Sequence, residues 1–201
     1  MSRRPQPSAP VTPPPASRHG RPRGGAASVR RFSVPGALEV MEGRVLPSGA
    51  TITVNNPNDD GSSSVLSLRQ AIDLANGTLP LASLAVAQAN QVSGLSIGAN
   101  PVIVFDPGLA GTTITLVGSE LPAVTADLTI DGSGAPSLAV SGGGLSRVPE
   151  VAAGARAGVS SLTLEDGTGR PSSDAPAGSG GVILNAGTLT LTATTVTASA
   201  H

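Results

Sequence analysis

The sequence predicts an all-β protein, a right-handed single-stranded parallel β-helix with a short N-terminal capping helix and a disordered N-terminal tail. Two observations lead there. First, Leu128-Thr-Ile130, Leu138-Ala-Val140, Leu162-Thr-Leu164 and Leu189-Thr-Leu191 each set two apolar side chains on one face with a small or hydroxylated residue between them. That period of two marks strands, and most are followed by Gly, Asp-Gly or Asn-Ala-Gly, which turn the chain. Second, the spacing repeats. Ile114-Thr-Leu116, Leu138-Ala-Val140 and Leu162-Thr-Leu164 begin 24 residues apart, while Leu121-Pro-Ala-Val124 and Val148-Pro-Glu-Val151 share a pattern 27 apart. A third column runs from Ile103-Val-Phe105 through Leu128-Thr-Ile130 and a weak member at 156–159 to Leu189-Thr-Leu191. Three interleaved columns read as three strands per coil, stacked because one coil cannot bury its own apolar face. Leu128, Ile130, Leu138, Val140, Leu162, Leu164, Leu189 and Leu191 are the expected core.

Composition narrows the chemistry. The 201 residues hold two Phe, no Trp, no Tyr and no Cys, so the core is aliphatic and disulfides and thiolate metal sites are excluded. Residues 1–50 contain eight Arg and two Glu; residues 51–201 contain four Arg and eleven acidic residues. A mildly acidic folded part argues against a nucleic-acid face, and no apolar run reaches the ~18–20 residues of a membrane span. No metal or other cofactor is expected.

Four segments follow in order. Residues 1–36 are rich in Pro, Arg, Ser and Gly and are expected to be a solvated, disordered tail. Residues 37–50 form a short motif, 51–100 a strand and capping-helix region, and 101–201 the stacked coils, incomplete at the C-terminus. Within the second segment, Leu38, Glu39, Met41, Glu42, Arg44, Leu46 and Ser48 resemble the LEPR-XLL-type motif of large bacterial surface proteins. Gly43 stands where that motif has Pro. The resemblance implies export, with Leu38, Glu39, Glu42, Arg44 and Leu46 as the signal; a short amphipathic helix ending at Pro47 is the bland alternative.

Asn55-Asn-Pro-Asn-Asp-Asp-Gly61 reads as a polar turn in preference to a Ca²⁺ loop, since EF-hand spacing and its closing Glu are missing. Ser67-Leu-Arg-Gln70 reads as a capping box. Leu68, Ala71, Ile72 and Ala75 then lie on one helical face that ends at Asn76-Gly77. Ser67, Leu68, Gln70 and Ile72 are the expected cap over the first coil. Residues 84–90 read as a second short helix.

Strand, polar turn, Ser-Leu-Arg-Gln-Ala-Ile and then Ile-Val-Phe-Asp-Pro, Leu-Thr-Ile-Asp-Gly and Leu-Asn-Ala-Gly-Thr-Leu-Thr-Leu resemble the CSLREA-type proteins, including polymorphic outer-membrane-like surface proteins, across residues 51–200. Leu66 replaces the Cys of that name and Gln70 its Glu. The resemblance implies a pectin-lyase-like solenoid, located outside the cell or on its surface in association with the outer membrane.

An enzyme is not expected. Glu165-Asp166 is the close carboxylate pair of the coils, and neighbours on a strand point to opposite faces. Asp131-Gly132 is explained as a turn, and Arg147 with Glu150 and Arg156 as surface charges of little energetic weight. His19 and His201 lie at the extremities. The leading function is therefore a non-catalytic structural or adhesive scaffold that meets a surface ligand or cell-envelope component. The alternatives are a polysaccharide lyase or hydrolase whose active site lies outside this chain, and binding through a flat Thr face made by Thr188, Thr190, Thr192 and Thr194 with Thr115, Thr129 and Thr163. Finally, the last strands are as regular as those before them and nothing closes the stack. The chain is expected to be the N-terminal piece of a longer stack, and in isolation to self-associate through its open C-terminal coil or to fray there.

Overall fold

In Thr51-Ile-Thr-Val54 the two aliphatic side chains fall on one face of an extended segment, and both are buried in strand β1 (Thr51–Val54). A computed structural model describes residues 10, 12–13, 49–62, 64–94, 100–169 and 181–198. After β1 come α1 (Leu68–Asn76), a 3₁₀ turn (Leu81–Ser83), α2 (Val86–Ala89) and β2 (Val92–Ser93). Next are β3 (Val102–Phe105), a second 3₁₀ turn (Pro107–Leu109), β4 (Thr113–Thr115), β5 (Leu128–Asp131) and β6 (Ala139–Ser141). The remaining strands are β7 (Glu150–Val151), β8 (Arg156–Ser160), β9 (Thr163–Gly167), β10 (Leu184–Asn185), β11 (Thr188–Thr192) and β12 (Thr195–Ala198).

The strands form a six-stranded sheet in the order β11-β8-β5-β3-β1-β2, a four-stranded sheet β12-β9-β6-β4, and a two-stranded sheet β10-β7. Every pairing is parallel except that of β1 with β2. Each column of the sequence falls in one sheet. In the six-stranded sheet Ile52, Ile103, Ile130, Val159 and Leu191 stand in register, and in the four-stranded sheet Ile114, Val140, Leu164 and Val196 do.

The expected fold class is corrected. The architecture is mixed α/β, with sheets of six, four and two strands and intervening helices; it is not an all-β, single-stranded parallel β-helix or pectin-lyase-like solenoid that closes coil by coil. Two physical causes stand out. Residues 55–93 form no coil: they supply two helices and an antiparallel edge strand, so the six-stranded sheet gains members with no counterpart elsewhere. The column of Leu121-Pro-Ala-Val124 and Val148-Pro-Glu-Val151 carries Pro122 and Pro149, which lack an N–H for a ladder. That side reduces to one two-stranded sheet and the single bridge Val124–Val151. Register differs as well: Ile114 stands opposite Val140, not Leu138, because Leu138 and Leu162 precede their strands. Glu165 and Asp166 belong to β9, where Asp166 takes φ +50°.

Helix α1 forms as its capping signals require. Ser67 Oγ accepts from the Gln70 N–H (3.3 Å), Gln70 Oε1 accepts from the Ser67 N–H (3.2 Å), and Gly77 ends the helix at φ +76°. Leu68, Ala71, Ile72, Leu74 and Ala75 are buried. Leu68 lines, with Ile130, Val140, Val148, Val159 and Leu164, an apolar interior gap of about 20 Å³, so the helix and the sheets share one core. The lining of that gap is apolar and offers a water molecule no hydrogen-bond partner. Of the expected core, Leu128, Ile130, Leu138, Val140, Leu162 and Leu164 are buried and Leu189 packs partly buried against them. Leu191 is 40% exposed, a correction. The tail, apart from residues 10, 12 and 13, lies outside the described residues, as do the motif positions Leu38, Glu39, Glu42, Arg44 and Leu46.

Candidate functional site

The polar side chains of the first half hold the covered end together. Asp59, from the polar turn, has a side chain only 1% exposed and takes Arg69 in a two-point ion pair (Nε to Oδ1 2.8 Å, Nη2 to Oδ2 2.6 Å). Its Oδ2 also accepts the Val117 N–H, while Arg69 donates to the carbonyls of Ser119 and Glu120. At the other end of α1, Asn76 imitates a strand residue: its Nδ2 donates to the Ala123 carbonyl (2.7 Å) and its Oδ1 accepts the Thr125 N–H (2.9 Å). Backbone groups of residues 117–125 are therefore partnered by the polar turn and α1, and β2 covers β1.

Arg147 departs from its reading as a surface charge. It is fully buried, and its Nη1 donates to Glu120 Oε2 at 3.3 Å. A guanidinium with an apolar stem can be placed inside when carboxylates and carbonyls surround it, and nothing in the local pattern Ser-Arg-Val-Pro signals that placement.

Asp131 closes a turn. Its carboxylate accepts the Ser133 N–H (3.0 Å), the Ser133 hydroxyl (2.9 Å) and the Ser160 hydroxyl across the sheet (2.9 Å). The Ser133 backbone hydrogen bond, opposed by desolvation and aided by the two hydroxyls, holds its pKa below the ordinary value. Because the folded pKa is the lower one, the carboxylate adds stability at neutral pH that is lost as pH falls through that value. Asp131→Asn should therefore lower the urea midpoint at pH 7 and leave it nearly unchanged at pH 2. Gly132 beside it lies so close to the Ser161–Leu162 segment that an added Cβ would sit 2.5 Å from the Ser161 carbonyl oxygen.

Among the described residues, shallow grooves lie on the sheets. One, of about 390 Å³, is lined by Ser133, Ser137, Ser161, Thr163 and Thr195 and has no carboxylate; another, of about 310 Å³, holds Asn100, Asp127, Thr129, Arg156, Thr188 and Thr190. Neither brings two carboxylates together, and among the described residues no group of three His, Cys, Asp or Glu is placed to hold a metal ion. The flat Thr face is interrupted. Thr129 and Thr190 flank Gly158 in register, and Thr194 lies past β11, where its hydroxyl donates to the carbonyls of Val159 and Thr192.

At the opposite end of the sheets no further strand lies among the described residues. The final strands β10, β11 and β12 are each the edge of a different sheet. Along the ladder Ile52-Ile103-Ile130-Val159-Leu191, exposure runs 0, 0, 5, 4 and 40%; along Ile114-Val140-Leu164-Val196 it runs 1, 1, 3 and 44%. Residues 181–198 contain no charge and no Pro, the devices that commonly protect an edge. No family model, curated protein or solved structure matches the chain. Among the described residues no helix is long and apolar enough to cross a membrane.

Proposed function

We propose that the chain is a non-catalytic structural or adhesive scaffold of the cell surface or extracellular space, acting through the open edge of its sheets. The observation that carries this is the contrast between its two ends. The α1 end is closed by an ion pair, a capping box and the strand-like Asn76, whereas among the described residues β10, β11 and β12 are the outermost strands of their sheets and Leu191 and Val196 are exposed. An exposed apolar edge of this kind is a template for another strand. The resemblance of residues 37–48 to an export motif supports the location, and the partner is a cell-envelope component or another copy of the chain.

Analytical ultracentrifugation tests the reading. The protein should self-associate with rising concentration, and hydrogen exchange at residues 182–198 should slow on association. Leu191→Glu should keep it monomeric with little loss of stability, because that side chain is already 40% exposed. A monomer at all concentrations that captures no envelope component would refute the proposal.

A further inference from the structure

The sequence contains one Asn-Gly pair, Asn76-Gly77, and it stands where α1 ends. An asparagine before glycine is chemically labile, because no side chain hinders the approach of the following backbone nitrogen to the Asn Cγ. That reaction needs both groups free, and here both are held. The Asn76 Nδ2 donates to the Ala123 carbonyl (2.7 Å) and its Oδ1 accepts the Thr125 N–H (2.9 Å). The Gly77 N–H donates to the Leu74 carbonyl (3.0 Å). The turn is pinned again by Thr78, whose N–H and hydroxyl both donate to the Asp73 carbonyl (3.0 Å each). Gly77 itself is exposed, with open space around its Cα. Solvent therefore reaches the pair, and what protects it is immobilisation.

We propose that Asn76 is a deamidation site guarded by the closed cap, and that loss of its amide keeps the cap from closing again. This is independent of how the scaffold meets its partner. When α1 lifts from residues 123–125, solvent base takes the Gly77 amide proton and the nitrogen bonds to the Asn76 Cγ. The Cγ–Nδ2 bond then breaks, and Nδ2 leaves as ammonia with a proton from water. Water adds to either carbonyl of the succinimide ring so formed. One opening gives an aspartyl residue, the other an isoaspartyl residue whose main chain runs through the β-carboxyl. One water is consumed and one ammonia released, with no change of oxidation state. Neither product restores the cap. A carboxylate has no N–H for the Ala123 carbonyl and sets a negative charge against that oxygen. The isoaspartyl link also adds an atom to the main chain just before Gly77, which must take φ +76° to end the helix. Only the open fraction reacts, so local stability of α1 sets the rate.

Peptide mapping by mass spectrometry follows the reaction, which adds about one mass unit to the peptide that carries Asn76. At mildly alkaline pH the folded protein should lose this amide at least about ten-fold more slowly than the same chain unfolded in urea. Leu74 is fully buried on the inner face of α1 and makes no part of the reacting pair. Leu74→Ala should therefore speed the loss by about ten-fold or more, and Ile72→Val by a smaller factor, both toward the unfolded limit. If Leu74→Ala fails to fold, Ile72→Val carries the comparison. Asn76→Asp installs one product directly and should raise hydrogen exchange in the last turn of α1 about ten-fold. Equal rates of amide loss in the folded and unfolded protein would overturn the guard, as would folded α1 variants that deamidate no faster than the wild type. An Asn76→Asp protein whose last helical turn is as protected as that of the wild type would overturn the consequence.

Discussion

Replacing Ile72 by Asp should lower the melting temperature by roughly 10 °C or more. Ile72 is 1% exposed on the inner face of α1, among Leu68, Ala71 and Leu74, in the core that the helix shares with the sheets. The substitution removes an aliphatic side chain whose loss alone costs about 2–5 kcal/mol. It also leaves a carboxyl group with no partner in an apolar site. For a folded part of this size each 1 kcal/mol moves the midpoint by about 2–4 °C. Thermal unfolding followed by circular dichroism measures the effect. Ile72→Val should cost only about 0.5–1.5 kcal/mol. An Asp variant that melts like the wild type would show that α1 is not part of the core.

Asp59→Ala should be the next most damaging change, at about 2–4 kcal/mol. Removing one partner of a buried ion pair costs about 3–5 kcal/mol because the other charge is stranded. The discount reflects Arg69, whose side chain is 26% exposed and regains some hydration. The substitution also strips the Val117 N–H of its acceptor. Urea titration gives the loss, and a cycle with Arg69→Met separates the pair from the rest. If Asp59→Ala is as harmful in the Arg69→Met background as alone, the ion pair is not what joins the polar turn to residues 117–120.

Local chemistry was legible wherever neighbours in sequence were also partners in space. The capping box of Ser67 and Gln70 and the end of α1 at Gly77 depend on atoms three or four residues apart, and the structure contains both. Strand positions were legible too, because period two is set by the backbone. Their boundaries moved by a residue at Leu138 and Leu162, since an apolar residue can be buried just before its strand begins.

The sequence alone showed most strands of the two longer sheets, the capped helix and the aliphatic character of the core, which follow from side-chain alternation, from turn residues and from the absence of Cys, Trp and Tyr. It did not show β2 or β10, and its expected strand at residues 121–124 is a single bridge. Only the tertiary structure decided how the strands are shared among sheets of six, four and two, and that the class is mixed α/β. Pro122 and Pro149 weaken one side of the stack and β2 adds an antiparallel edge, effects that periodicity does not register. Tertiary structure likewise decided that Asp59 reaches Arg69, that Arg147 is buried, and that Leu191, in the same Leu-Thr-Leu pattern as its buried neighbours, is exposed. Burial of a strand residue depends on the strand beside it as much as on its own side chain, and among the described residues β11 has a neighbouring strand on one side alone.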